Sequence, residues 1–261
     1  MTRSFGRIVG AIALLLAQIG FASAADIKVF STIGLQSALE ELAPQFEKAS
    51  GHKLNFTWAT AAILVKRVQA GESADLMVLT KQSLEALIKD SKASAAPDAT
   101  FASSGIAVVV KKGAPKPDIS TPEAFKQALL NATTIAYSDP AAGGASGVYF
   151  AKLLERMGIA EQMKAKTKHP PPSGNAAVLV VNGEAELAIQ QEPELLSIAG
   201  VDLVGPLPAE LNNITMYSAG VGAGSQQAEA ANALIRFLHS PEAQAVFKAK
   251  GLKPAVASKG T

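Results

Sequence analysis

The chain has 261 residues, 24 basic and 22 acidic side chains, and no cysteine. The missing cysteine excludes a disulfide framework, a thiol nucleophile and a lipid-bearing cysteine. The near-neutral balance, with no basic block and no aromatic–basic stripe, argues against nucleic acid as a partner.

The first elements concern export. Arg3 and Arg7 charge the start, Ile8 to Ile19 is mostly apolar, and Ala22-Ser23-Ala24 fits a small-x-small cleavage site. Residues 1–24 therefore read as a secretory signal peptide cleaved after Ala24, since the apolar run is short for a membrane span. Without the two arginines the bases number 22, equal to the 22 acids. No second long apolar run follows, and the remaining length allows one large domain or two small ones.

Ile27 to Phe30 reads as a strand, followed by the loop Ser31-Thr32-Ile33-Gly34. Leu35, Leu39, Leu42, Ala43 and Phe46 then share one helix face, ended by Gly51. Leu54, Phe56 and Trp58 alternate with polar residues as a half-buried strand. The loop Ala59-Thr60-Ala61-Ala62 leads into a helix carrying Ile63, Leu64 and Val68. Leu76 to Leu79 is a buried-type strand, and Leu84, Leu87 and Ile88 mark the next helix. Strands alternating with helices imply βα units and a mainly parallel sheet.

Ala93 to Ser104 is small and polar with Pro97, and reads as irregular. Gly105 to Val110 is a β-rich run. Thr121-Pro122-Glu123 opens a helix with cap, N1 proline and first-turn acid. Thr134 to Tyr137 is a strand broken by Asp139-Pro140. Gly143-Gly144 turns the backbone, and Ser146 is the N-cap candidate of a helix burying Phe150, Leu153, Leu154 and Met157. Ser173-Gly174-Asn175 precedes a helix over Ala176 to Val181. Leu187 to Gln190 is a strand with Gln191 at its end. Asp202 to Val204 and Ile214 to Ala219 are further strands. Two helices, around Leu234-Ile235-Leu238 and after Ser240-Pro241-Glu242, complete the chain.

Catalytic signatures are missing. His52, His169 and His239 lack metal-ligand spacing, and their positions beside turns and helix ends suit solvated or capping roles. No G-x-S-x-G elbow, P-loop or dinucleotide turn occurs. What recurs is a strand, a small uncharged loop with hydroxyls, and a helix: at Thr32 to Gly34, Thr60 to Ala62, Gly143 to Ser146 and, more weakly, Ser173 to Asn175. Helix starts with free N–H groups suit an anion. One such end contributes about 0.3–1 kcal/mol, whereas micromolar binding needs about 8 kcal/mol. Several ends must therefore converge.

Residues Val29 to Leu39, Val-Phe-Ser-Thr-Ile-Gly-Leu-Gln-Ser-Ala-Leu, resemble the first strand, ligand loop and helix of the molybdate-binding-type periplasmic proteins of ABC importers. Leu64 to Leu79, with Gln69 to Leu76 at its centre, is similar to that family's second loop, helix and strand. Ser138-Asp139-Pro140, Ser146-Gly147-Val148-Tyr149, the stretch Asn182 to Ile189 and the tail Ser240-Pro241-Glu242-Ala243 are similar too. The resemblance implies an α/β type II periplasmic binding fold, with two lobes joined by two crossover strands. One lobe would be built from residues 25–104 and 219–261, the other from 105–218. It implies a periplasmic location, a monomer, an ABC permease as partner, no cofactor or metal, no catalysis, and a small anion enclosed by hinge closure. The expected ligand residues are Thr32, Ile33, Gly34, Thr60, Ala61, Gly144, Ala145, Ser146, Gly174, Asn175, Gln190 and Gln191. The family usually has serines where Gly34, Ala61 and Ala62 stand, and a tyrosine where Gln191 falls. Gln190 or Gln191 would suit a carboxylate, hydroxyl or amide as well as an oxyanion. A neutral or zwitterionic organic solute is the alternative ligand, and a secreted hydrolase the alternative class.

Overall fold

The computed structural model describes residues 24–254, so the signal segment before Ala24 lies outside the described residues. In chain order the elements are β1 (Asp26–Thr32), a 3-10 turn (Ile33–Leu35), α1 (Gln36–Ser50), β2 (Lys53–Ala59), α2 (Ala61–Gln69), β3 (Leu76–Thr80), α3 (Lys81–Lys89), β4 (Ala93–Ser104) and β5 (Ile106–Lys111). Then come α4 (Pro122–Asn131), β6 (Ile135–Tyr137), α5 (Ala145–Arg156), α6 (Ala160–Lys164), β7 (Thr167–Lys168), α7 (Ala176–Val181), β8 (Leu187–Gln191), α8 (Glu192–Leu196) and β9 (Val201–Pro206). β10 (Thr215–Gly222), α9 (Ala228–Leu238), α10 (Pro241–Ala249) and β11 (Lys253–Pro254) follow.

Two sheets form. The first has the order β11-β4-β10-β3-β1-β2, the second β7-β6-β8-β5-β9. Each has a parallel centre, β2-β1-β3 and β7-β6-β8, extended by antiparallel strands. The expectation of a mainly parallel sheet therefore holds only for the βα units. Strands arriving from the other lobe enter antiparallel.

Strand alternation divides each lobe into three layers. Ile27 and Val29 face α1, α9 and α10, burying Leu39, Leu42, Phe46, Leu234 and Phe247, whereas Phe30 faces α2 and α3 with Leu64 and Leu84. In the second lobe Ile106, Val108 and Val110 face Phe125 and Phe150, while Ala107 and Val109 face α7 and α8. Thr121 caps α4 by accepting from the Ala124 N–H at 3.1 Å, with Pro122 at the first turn.

Ala93–Ser104 is a strand, not the irregular segment that its small polar residues implied. Its hydrogen bonds are supplied by β10, with register shifts, and by β11, so tertiary pairing overrides weak local preference. It runs into β5 through Gly105, the first crossover. The return passes through residues 207–214. Asn212 ties the two together: its Oδ1 accepts from the Ile106 N–H at 2.9 Å, and its Nδ2 donates to the carbonyls of Ile106 at 3.1 Å and Leu207 at 3.3 Å. A Cβ on Gly105 would sit 3.1 Å from that amide, so the small residue lets the crossovers touch. β10 pairs in the first sheet from Thr215 onward. We therefore propose a lobe boundary before Thr215 rather than at 218/219.

Candidate ligand-binding cavity

Loops from both lobes enclose a cavity of about 340 Å³. The first lobe contributes Thr32 and Ile33 after β1, Thr60 to Ala62 at the start of α2, and Thr80, Gln82 and Ser83 at the start of α3. The second contributes Ser138 and Asp139 after β6, Ala142 to Ser146, Val148, Tyr149 and Lys152 on α5, Pro171, Ser173 and Gly174 before α7, and Gln191 and Glu194. Asn213, Thr215 and Tyr217 come from the return crossover and β10.

Thr60 works twice. Its Oγ1 accepts from the Ile63 N–H at 3.4 Å, capping α2, and donates to the Ala142 carbonyl of the other lobe at 2.9 Å. Gly143, with φ of +71°, approaches Ala62 so closely that a Cβ would lie 2.6 Å from the alanine methyl. The lobes thus meet along two loops of small residues. Ser146 is not the cap of α5: Gly144 holds that position, the helix begins at Ala145, and Ser146 is its buried second residue. The first turn of α5 packs on the end of β6, since a Cβ on Gly147 would fall 2.3 Å from the Ser138 carbonyl oxygen.

The opposite wall is a polar network. Ser104 Oγ donates to Gln191 Oε1 at 2.5 Å and lies 3.0 Å from Tyr217 Oη. Gln191 Nε2 donates to Thr215 Oγ1 at 2.8 Å. Gln190 Oε1 accepts from the Ala176 N–H at 2.8 Å, and its Nε2 donates to Glu194. Burial pushes the Glu194 carboxyl up to about 7, partly offset by the Gln190 hydrogen bond. Burial likewise raises Tyr217, with Glu194 adding to it and Ser104 opposing it. A Cβ on Gly34 would meet Tyr217 Oη at 2.7 Å and Glu194 Oε1 at 3.5 Å.

Among the residues singled out from sequence, Thr32, Ile33, Thr60, Ala61, Gly144, Ala145, Ser146, Gly174 and Gln191 share this cavity. Gly34, Asn175 and Gln190 stand behind it. Gly34 is the buried seat on which Tyr217 and Glu194 rest. Asn175 caps α7, accepting from the Ala177 N–H at 2.9 Å, and donates to the Glu194 carbonyl. Gln190 is wholly buried. Sequence reasoning missed Glu194, Tyr217, Thr215, Ser104 and Lys152. The phenol expected at Gln191 by family pattern enters instead from β10. Lys152 could have been found from its place on the outward side of the α5 apolar stripe, one turn beyond Val148.

No histidine lines the cavity. His52 is buried, with Nδ1 accepting from the Ala25 N–H at 3.2 Å, so its role is structural rather than solvated. His169 Nδ1 bonds the Tyr137 carbonyl at 2.9 Å. No imidazole stands among the residues that line the cavity with Ser146.

With two lobes, two crossovers and a site between them, comparison with known proteins is decisive. Residues 27–253 match the family model described as bacterial extracellular solute-binding protein. The chain belongs to that family. This solute-binding protein is 37% identical over 251 residues to a Pseudomonas sp protein named aconitate isomerase, covering 93% of this chain and 94% of that protein. It is 27% identical over 255 residues to the molybdate-binding protein ModA of Escherichia coli (strain K12), covering 96% and 98%. Its fold is similar to that of the Azotobacter vinelandii periplasmic molybdate-binding protein, with a TM-score of 0.70 at 20% identity, over 89% of this chain and all of that one. The architecture is the α/β type II periplasmic binding fold of ABC-importer binding proteins.

Proposed function

We propose that this solute-binding protein is exported, works as a periplasmic monomer, and presents a small organic carboxylate to an ABC permease. The observation that carries this reading is the pairing, in one cavity, of helix starts, hydroxyls and Lys152 with the titratable wall of Glu194 and Tyr217. The lysine and the α2 and α5 starts favour an anion over a neutral solute. A volume of about 340 Å³ falls in the range of organic-ligand sites, roughly 300–1,000 Å³, and is generous for a bare tetrahedral oxyanion. The alanines at 61 and 62 and the glycine at 34 remove hydroxyls that an oxyanion would use. The relative named aconitate isomerase supports an unsaturated tricarboxylate as ligand. Calorimetry against cis- and trans-aconitate, citrate, sulfate, molybdate and a neutral sugar tests this. Tighter binding of molybdate or sulfate than of every carboxylate would reverse the assignment.

A second reading is favoured by one observation. Glu194 borders the cavity and titrates near neutral pH, the range in which a general base works best. On this reading the protein interconverts the isomers of a bound unsaturated carboxylate by moving a proton between carbons. Proton NMR of trans-aconitate incubated with the protein in D2O reads it directly, through appearance of the cis isomer and deuterium in the product.

A further inference from the structure

Glu194 is a carboxyl group placed where an anion is to be bound. It reaches the cavity from α8 and also borders the crevice lined by Ile33, Gln36 and Glu40. Among the described residues it takes part in no ion pair. Its side-chain partner is the neutral amide of Gln190, itself fixed by the Ala176 N–H. Tyr217 crowds it from β10, and both rest against the bare Cα of Gly34. The charged groups that share its surroundings are Lys152 and Asp139 across the cavity and Glu40 of α1 in the crevice. An ionised Glu194 would repel a carboxylate, whereas its acid form would donate a hydrogen bond to one.

We propose that Glu194 is the specificity-determining residue of the cavity and that the protein takes up its ligand together with a proton, shared between the Glu194 carboxyl and a ligand carboxylate. Gly34 makes room for this arrangement: a Cβ there would lie 2.7 Å from the Tyr217 hydroxyl, displacing the phenol, and at ordinary contact distance, 3.5 Å, from the Glu194 carboxyl. The proposal rests on the carboxylate reading above. It deepens that reading by making affinity depend on pH. Since the free carboxyl titrates at about 7, the group is about half protonated at neutral pH. An anion beside it raises its proton affinity further, and by reciprocity protonation raises affinity for the anion. Aconitate and its isomers are fully ionised well above neutrality, so titration of the ligand does not imitate the effect there.

The test is calorimetry with trans-aconitate between pH 7 and 8.5, in buffers of different ionisation enthalpy. Proton uptake should rise from about half a proton per ligand at pH 7 towards one by pH 8.5, and affinity should fall about fivefold between pH 7 and 8, steepening towards tenfold per pH unit beyond that. In Glu194→Gln the amide can neither take up nor lose a proton, so uptake and slope should vanish whatever the change in affinity. Glu194→Asp should keep a slope. Binding by the native protein without proton uptake, or a full slope retained in Glu194→Gln, overturns the proposal. If the Gln variant fails to fold, uptake by the native protein alone decides. If neither aconitate isomer nor citrate binds at any pH, the carboxylate reading itself fails and the proposal with it.

Discussion

Where α2 and α5 meet, the cavity is lined by helix starts and small residues, and the polar groups offered are mostly N–H and hydroxyl. Where α8 meets β10, the lining is a buried network of carboxyl, phenol and amides. The first wall is fixed at the backbone: the Thr60 hydroxyl donates to the Ala142 carbonyl, and Gly147 lies against the Ser138 carbonyl. The second is held mainly by side chains, Ser104 to Gln191 to Thr215 and Gln190 to Glu194, with Gln190 anchored on the Ala176 N–H. Backbone donors carry fixed partial charge at any pH, whereas a carboxyl near its titration point changes what it offers. The difference teaches that anion attraction and ligand choice are divided between the walls.

The largest effect should come from the backbone wall. Gly147→Ala places a Cβ 2.3 Å from the Ser138 oxygen, a contact no rotamer can relieve. Such overpacking costs about 3 kcal/mol or more. Urea unfolding should show a lower midpoint, and ligand binding should weaken as the α5 start moves. Gly144→Ala nearby, with no atom closer than 3.8 Å, should be mild. Equal effects at the two positions would break the picture of a wall set by backbone contact. Next in size is the hinge that holds both walls in register. Asn212→Ala removes two hydrogen bonds between the crossovers and one within the return, and should cost about 2 kcal/mol, read by the same unfolding curves.

The first wall was legible in the sequence and most of the second was not. Thr60, Gly144 and Ser146 follow strands and precede amphipathic helices, so local pattern locates them. The Ser146 cap failed because Gly144 can take the cap position and leave the serine as the second residue of the helix. Glu194 lies beside Pro193 at the start of a five-residue helix and looks like an ordinary first-turn acid. Tyr217 sits within a strand and points into the cavity only because β10 crosses from one lobe to the other. Ser104 belongs to a stretch whose strand character exists only through pairing with β10 and β11. Long-range pairing, not local preference, built that wall, and a single sequence carries little of it.

The side-chain wall predicts a pH effect on stability. Glu194 titrates at about 7 in the folded protein against 4.5 when unfolded. Between those values the folded state holds the extra proton. The stability from this group is therefore full below about 4.5 and lost as pH rises to about 7. At about 1.4 kcal/mol per pH unit the ceiling is about 3 kcal/mol. Contact with the open cavity reduces this to about 1–2 kcal/mol. Burial shifts Glu192 in the same direction. Melting temperature should fall between pH 5 and pH 7.5, and Glu194→Gln should flatten most of that slope. A Gln variant with the native slope would move the titrating group elsewhere.

The smallest effect belongs to Lys152, and it distinguishes the walls most finely. Its ammonium is exposed on α5, so it attracts an anion through water and salt screens it. Lys152→Met should weaken carboxylate binding by about 0.3–1 kcal/mol, roughly two- to fivefold. The loss should shrink as ionic strength rises from about 10 to 150 mM, since the screening length contracts from roughly 30 to 8 Å. The backbone N–H groups at Ser146 and Gly147 in the first turn of α5, where the residues are buried, are screened far less. The residual affinity of Lys152→Met should therefore vary little with salt. If the variant keeps the native salt dependence, the long-range attraction comes from elsewhere on the surface, and the first wall acts by fixed donors alone.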